Sequence, residues 1–189
     1  MIDFIFILTL VGQQFLSIHN EFYEVIWKLE INKFIIKAWN GHTFIKDGQF
    51  VTHVVNAKRI VIQDKTFGEG QAIELQHEDG SKSSILLFRG IPFVLFQFTL
   101  RNDTEVLKLI RQIKILTACV DCNNHPSNLK ALGTGGLRSL DEKHGSYMWL
   151  AVAEPKSREG IVAGWITTER GSGVVFVGGR RICEIGSPN

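Results

Sequence analysis

A glycine-rich turn, Gly133-Thr134-Gly135-Gly136, is the first feature of this sequence that could do chemistry. Glycine-rich loops hold phosphate where they join a strand to a helix, because the helix N-terminus supplies unpaired N–H groups and a favourable dipole. Residues 137–141 have no helical period, and no Gly-Lys-Ser/Thr sequence follows the glycines. We therefore expect a backbone bend or a ligand-approach loop in a β protein, with glycines that allow positive φ and close approach.

Three cysteines and one histidine have the spacing of metal ligands. Cys119 and Cys122 form a C-x-x-C pair, His125 follows, and Cys183 could complete a zinc-binding set. Such a site usually needs a second closely spaced pair, which this sequence lacks. A disulfide within the pair or to Cys183 is the alternative in an exported protein. Unpaired thiols are the default expectation, and we predict no metal and no other cofactor.

Nucleophilic and acid–base catalysis have little support in the sequence. There is no Gly-x-Ser-x-Gly elbow, since Gly171-Ser172-Gly173 lacks its spacing, and the six histidines are dispersed. Glycoside hydrolysis needs two carboxyl groups at a fixed separation across a sugar. The nearby carboxylates fit turn-forming and solvated roles; they are Asp141, Glu154, Glu159 and Glu169. We name no catalytic residue and expect the chain alone to be inactive.

Two tryptophans follow the glycine turn. Trp149 and Trp165 each lie in an apolar segment that we predict to be a strand, residues 147–153 and 160–166. In a β-sandwich, a tryptophan at such a position is most often a core residue. A sugar-stacking platform is the alternative, because an apolar ring face suits a pyranose and the indole N–H can still donate a hydrogen bond.

Strands position these residues almost throughout the chain. From residue 22 onward, short runs of β-branched and aromatic residues are separated by turn signals, of which Asn40-Gly41, Asp47-Gly48 and Asp79-Gly80 predict tight hairpins. Residues 27–31 alternate as a half-buried strand, and Asn32-Lys33 predicts the turn after it. We expect an all-β antiparallel sandwich with helix in less than about a tenth of the residues, against about a third in ordinary domains.

A long run that ends at Val120 could be mistaken for a helix. Its apolar residues at 107, 109, 113 and 115 share odd parity, with Arg111 as the exception. Period two favours a strand with the odd positions inside. Because Val106, Ile110 and Leu116 occupy the other side, we expect that side to be partly covered too.

Composition excludes several classes of protein. A length of 189 residues fits one domain. The net charge is +2, with no basic run longer than two residues, whereas nucleic-acid binders concentrate positive charge on one face. A hydrophobic content of 44%, with 13 Phe and 4 Trp, is not that of a disordered chain.

The N-terminal segment, residues 1–20, has two interpretations. Its apolar core at residues 4–11 has the length of a signal-peptide core, but Asp3 precedes it and no small-residue cleavage pattern follows. A bilayer span needs about 20 apolar residues, so we predict no membrane span. A buried strand and a degenerate or trimmed signal both remain open, which leaves the location of the protein open as well. Residues 21–189 are expected to form the sandwich domain.

Three stretches around the glycine turn carry a resemblance to a known family. LGTGGL at 132–137, GSYMWLAVAEP at 145–155 and GIVAGWITTERGSGVVF at 160–176 resemble the N-terminal β-sandwich of α-galactosidase-like glycoside hydrolases of the family 36 type. Residues 70–116 are similar to the same domain, in which a strand pair crosses a turn before a long strand. The resemblance covers residues 22–177.

The resemblance implies a galactose-mutarotase-like supersandwich ahead of a (β/α)8 barrel that carries the catalytic aspartates, with terminal α-galactosides as substrates. Since this sequence stops before any βα alternation, we expect an incomplete, non-catalytic module that packs on the barrel of its parent protein and helps to shape the sugar pocket. A free-standing carbohydrate-binding or structural β-sandwich is the alternative. The candidate sugar-binding residues are Arg138, His144, Trp149 and Trp165, with Gly133, Thr134, Gly135 and Gly136 as the adjoining loop.

Overall fold

The computed structural model describes residues 14–100, 113–140, 143–167, 171–178 and 182–186, the last range by its backbone alone. These residues contain sixteen strands, one short 3-10 helix at Pro126–Asn128 and no α-helix. No helix among them is long and apolar enough to cross a membrane. The prediction of an all-β antiparallel protein is confirmed.

An eight-stranded antiparallel sheet, here called the large sheet, runs through the molecule. Its strands in spatial order are β1 (Phe15–His19), β2 (Tyr23–Lys28), β3 (Lys33–Ala38), β4 (Thr43–Phe50), β9 (Lys114–Ala118), β16 (Ile182–Gly186), β15 (Val174–Gly178) and β12 (His144–Tyr147). Consecutive strands β1 to β4 pair as hairpins, whereas β16 is inserted between two strands that precede it in the chain.

Two further antiparallel sheets have four strands each. The first small sheet has the order β5 (Val54–Asp64), β6 (Gly68–His77), β7 (Lys82–Phe88) and β8 (Leu95–Thr99). The second small sheet has the order β11 (Gly136–Ser139), β10 (Lys130–Gly133), β13 (Trp149–Ala153) and β14 (Gly160–Gly164).

Both small sheets cover the same face of the large sheet. Leu116 of β9 pairs with Ile185 of β16, which pairs with Val175 of β15. Directly paired residues of antiparallel strands lie on one face, so Leu116 and Val175 share a face. Leu116 belongs to a core with Ile73 from the first small sheet, and Val175 to a core with Leu150 from the second. The arrangement is therefore sandwich-like, with two sheets side by side on one sheet.

The larger core explains why the first half of the chain folds as it does. Apolar residues at alternate positions of β1 to β4 point to one side, where they meet the first small sheet. The rings of Trp27, Phe34 and Phe50 lie within 6.4 Å of one another, centroid to centroid. The fully buried members of this core, at 2% exposure or less, are Ile18, Val25, Trp27, Phe34, Ile36, Ile73, Leu75, Ile85, Leu87 and Leu116.

At Met148 the chain passes from the large sheet to the second small sheet. Met148 separates β12 from β13 and has a φ of +68°, in the left-handed region that side chains other than glycine rarely adopt. Its N–H donates to the carbonyl of Gly173, and its own carbonyl accepts from Trp165, both at 2.8 Å. The prediction of one continuous strand over residues 147–153 is therefore wrong, because Met148 is a corner between two sheets.

Two predicted turns differ from the observed ones. Asp47-Gly48 lies inside β4, and Gly48 is paired with Phe34, whose ring would be 2.2 Å from a Cβ at Gly48. This glycine therefore makes room for an aromatic ring instead of a turn. The strand predicted to reach Ile31 ends at Lys28, because residues 29–32 form the turn that leads into β3.

The long run before Val120 is described only from residue 113. Its strand there is β9, in which Leu116 and Ala118 are buried and Ile115 is only partly buried. The prediction that the odd positions are inside is wrong for this part, and the other side is the core side. Residues 101–112, which hold the rest of the run, lie outside the described residues. The predicted strand or signal at residues 4–11 also lies outside them.

Candidate functional site

The glycine turn is the tip of a β-hairpin. Gly133 and Gly136 pair with each other across the turn, so Thr134 and Gly135 alone connect β10 to β11. Gly136 has a φ of +84°, while Gly135 has no positive φ. A Cβ at Gly133 would lie 2.2 Å from the Ser146 hydroxyl oxygen. One glycine thus provides the left-handed conformation and another provides close approach, in a loop that leads to a strand and not to a helix.

Hydrogen bonds attach this hairpin to the Met148 corner. The Ser146 hydroxyl accepts from the Thr134 N–H at 2.9 Å and donates to the carbonyl oxygen of Trp149 at 2.5 Å. The Thr134 hydroxyl in turn accepts from the Tyr147 N–H at 3.1 Å. The hairpin, the last residues of β12 and the first residue of β13 therefore form one hydrogen-bonded unit.

The two tryptophans do not form one platform. Trp149 pairs with Gly164, so Trp165, the next residue along, lies on the opposite face of the second small sheet. Trp149 is exposed, whereas Trp165 packs against the core that contains Leu150 and Val175. The indole ring of Trp165 also covers Gly173, where an added Cβ would lie 2.0 Å from the ring. Trp165 is thus placed as a packing residue and Trp149 as a surface residue.

The other two candidate residues lie in different sheets. Arg138 is exposed in β11, and its Nε donates to the Gly135 carbonyl at 3.4 Å, so it lies beside the glycine turn. His144 lies in β12 of the large sheet, where it pairs with Val177 and is half-buried. The structure brings Arg138 to the hairpin but gives no contact between Arg138 and His144.

The cysteines form no metal site among the described residues. Cys119 and Cys122 are free thiols, and burial, followed by the nearby charges of Asp121 and Glu159, raises the pKa of Cys122. The ring of His125 caps the short 3-10 helix by accepting from the Ser127 N–H at 3.4 Å. No group of three or more metal-binding side chains occurs within the described ranges. Because both thiols are free, Cys119 and Cys122 form no disulfide with each other. Cys183 is described only by its place in β16, opposite Ala118.

An uncovered apolar row crosses the outer face of the second small sheet. Its members are paired in register across four strands: Leu137, Leu132, Ala151 and Val162. Leu137 is 68% exposed and Val162 is 75% exposed. Trp149 lies on the same face, two residues before Ala151. We call these four paired residues the apolar row.

A cleft lies on the outer face of the large sheet, the face away from both small sheets. We call it the Trp39 cleft; it has a volume of about 330 Å³ and is lined by His19, Asn20, Tyr23, Glu24, Lys37, Ala38, Trp39 and Gly41. Trp39 is 79% exposed, more than any other large apolar residue of the described chain. Trp39 was not among the candidate residues predicted from the sequence. The available signal was its position, since an aromatic residue immediately before an Asn-Gly turn is presented at a hairpin tip.

The sequence matches no protein-family model, no curated protein and no solved structure. We therefore infer the function from the geometry of the described surfaces. Two surfaces stand out among the described residues. The apolar row offers area for packing, and the Trp39 cleft combines an exposed ring with polar groups.

Proposed function

We propose that this chain is a non-catalytic module of an α-galactosidase-like glycoside hydrolase, a galactose-mutarotase-like supersandwich that packs on a catalytic (β/α)8 barrel and helps to shape its sugar pocket. The observation that supports the proposal best is the apolar row. Large exposed apolar residues are normal when scattered, whereas a contiguous patch is typical of surfaces that contact a protein, a membrane or a ligand. Here four paired residues form such a patch on one sheet face.

The surroundings of the apolar row support a packing role. Behind the row, Leu150 and Val152 fix the same sheet to the core, so the row is held on a rigid element. The glycine hairpin and Arg138 lie at the end of this sheet, close to Trp149 through the hydrogen bonds of Ser146. A barrel seated on the row would therefore have polar loop groups and one indole at its margin, as a shared sugar pocket requires.

A free-standing carbohydrate-binding protein is the second candidate. The observation that favours it is the Trp39 cleft, which requires no other domain for its lining. Extending the reading frame beyond Asn189 separates the two candidates. We expect it to encode βα alternation with a (β/α)8 barrel; a frame that closes without one would overturn the module proposal.

The extended protein then tests the surface itself. Val162→Lys in the apolar row should lower its melting temperature and its turnover of an aryl α-galactoside, because a charge would be buried against the barrel. Val61→Lys is the matched control, since Val61 in β5 is also 75% exposed but lies on the first small sheet. Equal behaviour of the two variants would contradict packing through the apolar row. The 189-residue chain alone should not hydrolyse the substrate.

A further inference from the structure

We propose that the Trp39 cleft is a binding site for a neutral saccharide, in which a pyranose ring stacks on the Trp39 indole. The inference goes beyond the module proposal, because the cleft lies on the outer face of the large sheet and includes no residue of the apolar row or of the glycine hairpin. It deepens the second candidate function, which rests on the same cleft, and it does not require a barrel.

The backbone under Trp39 is fixed although its side chain is exposed. The Trp39 N–H donates to the Phe22 carbonyl at 2.8 Å, and the Gly41 N–H donates to the Ala38 carbonyl at 2.8 Å. Gly41 supplies the left-handed conformation of this turn, with a φ of +84°. The indole therefore extends from a backbone that is already fixed, so that no backbone entropy has to be lost when a ring stacks on it.

The wall of the cleft is held in place by the Asn20 side chain. Its amide oxygen accepts from the N–H groups of Phe22 and Tyr23 at 2.9 and 2.8 Å. Its amide nitrogen donates to the carbonyls of Phe88 and Ile91 at 2.8 and 3.0 Å. The two oxygen bonds fix the turn between β1 and β2, and the two nitrogen bonds attach that turn to the chain at the end of β7, so this wall of the cleft is held without a ligand.

Three side chains in one cross-strand row supply polar groups to the cleft. His19 pairs with Glu24, and Glu24 pairs with Lys37, so all three lie on the outer face. The Glu24 carboxylate and the Lys37 ammonium are 3.4 Å apart, and both side chains are partly exposed. A carboxylate that accepts and an ammonium that donates are suited to adjacent hydroxyl groups of a sugar.

The charge and size of the cleft select the class of ligand. Glu24 and Lys37 offset each other, so the cleft offers no net charge for a phosphate or for a polycation. A volume of about 330 Å³ is near the lower end of small-molecule sites, which span roughly 300–1,000 Å³. An exposed indole beside paired polar groups fits a ring with an apolar face and hydroxyl edges, which describes a pyranose.

The test is a titration of the purified 189-residue chain with galactose, glucose and an α-galactosyl disaccharide, followed by tryptophan fluorescence and calorimetry. We expect saturable binding of at least one sugar, and Trp39→Ala should weaken it by about tenfold or more through loss of stacking. Circular dichroism should show that the variant remains folded, since an exposed side chain contributes little to the core.

Phe15→Ala is the matched control, because Phe15 is also an exposed aromatic residue of the large sheet, at 52%, but does not line the cleft. Its sugar affinity should equal that of the wild type. Sugar binding that is lost in Trp149→Ala and kept in Trp39→Ala would overturn the inference and place the ligand at the glycine hairpin. The absence of saturable binding of all three sugars would also overturn it, while the module proposal would still be tested by the reading frame.

A second pair of variants tests the polar groups. Glu24→Gln and Lys37→Met should each weaken binding, because each removes one hydrogen-bonding group or charge from the cleft. Lys33→Met is the control, since Lys33 is a β3 residue of the same face whose ion pair is with Asp47 at 3.2 Å and which does not line the cleft. Unchanged affinity in both cleft variants would contradict the proposed hydrogen bonding.

Discussion

Ser146 donates a hydrogen bond to the carbonyl oxygen of Trp149 at 2.5 Å, across the residue at which the chain changes sheets. The same hydroxyl accepts from the Thr134 N–H, so one oxygen atom holds both the corner and the glycine hairpin. Ser146 is buried, whereas its two partners lie near the surface. The geometry of the hairpin therefore depends on a side chain that is more than ten residues away in sequence.

Ser146→Ala should lower the free energy of unfolding by about 1–2 kcal/mol, because two backbone groups lose their partner. Urea denaturation followed by circular dichroism measures this change. Ser139→Ala is the control, since Ser139 is exposed in β11 and should be near neutral. Equal stability of both variants and the wild type would show that water replaces the hydroxyl without cost.

Gly136→Ala should destabilise the protein by about 1–2 kcal/mol, because alanine is strained at a φ of +84°. Gly135→Ala should change stability much less, since Gly135 lacks positive φ and an added Cβ would meet only the Arg138 side chain at 3.5 Å or more. Thermal melts of the two variants make the comparison. A larger loss for Gly135→Ala would contradict the observed turn.

His77→Ala should be among the most destabilising single changes, at about 2–4 kcal/mol, because it removes both packing and hydrogen bonds. The imidazole is 1% exposed, contacts the Phe50 ring, and lies 2.6 Å from the Ser83 hydroxyl and 3.0 Å from the Thr52 carbonyl oxygen. Chemical denaturation would measure the loss. His53→Ala, at an exposed position, should be nearly silent; a similar loss there would contradict the structural role of His77.

Asp121→Asn should destabilise the protein at neutral pH and have little effect in acid. Lys46, which forms an ion pair with Asp121, and the Asn123 N–H hold the pKa of this carboxyl below its ordinary value. The stabilisation is therefore present above the pKa of the unfolded chain, about 3.9, and is lost as the pH falls through the folded value. The unfolding free energies of wild type and variant should differ at pH 7 and converge below about pH 3.

Lys46→Gln provides the check on that pH profile. It removes the main cause of the lowered pKa and keeps the carboxyl, so its difference from wild type should also vanish in acid. A difference that persists at low pH in both variants would mean that packing, and not charge, is responsible.

Local signals predicted the strands and several turns. Asn40-Gly41 and Asp79-Gly80 lie between paired strands as expected, because positive φ at Gly41 and Gly80 is set by the turn itself. The turn predicted at Asp47-Gly48 is wrong. A glycine is needed there because the ring of Phe34, in the neighbouring strand, occupies the space of a Cβ. A sequence pattern does not contain that contact.

The candidate site was less predictable for a related reason. Nothing in the type of residue at Met148 indicates a left-handed conformation, and the apolar residues continue through it. Trp149 and Trp165 lie on opposite faces of the second small sheet because Trp149 pairs with Gly164. That register between β13 and β14 is known only from the structure. Trp39 became a candidate only when the three-stranded row of His19, Glu24 and Lys37 was seen beside it.

The position of β16 has a consequence for how the chain folds as it leaves the ribosome. β4 and β9 can pair early, but β9 and β15 are joined only through β16, which is synthesised after both of them. Until residues 182–186 emerge, each of these two strands presents an open hydrogen-bonding edge. The nascent chain thus exposes both edges until β16 is made, and chaperones that shield such edges should act before that point.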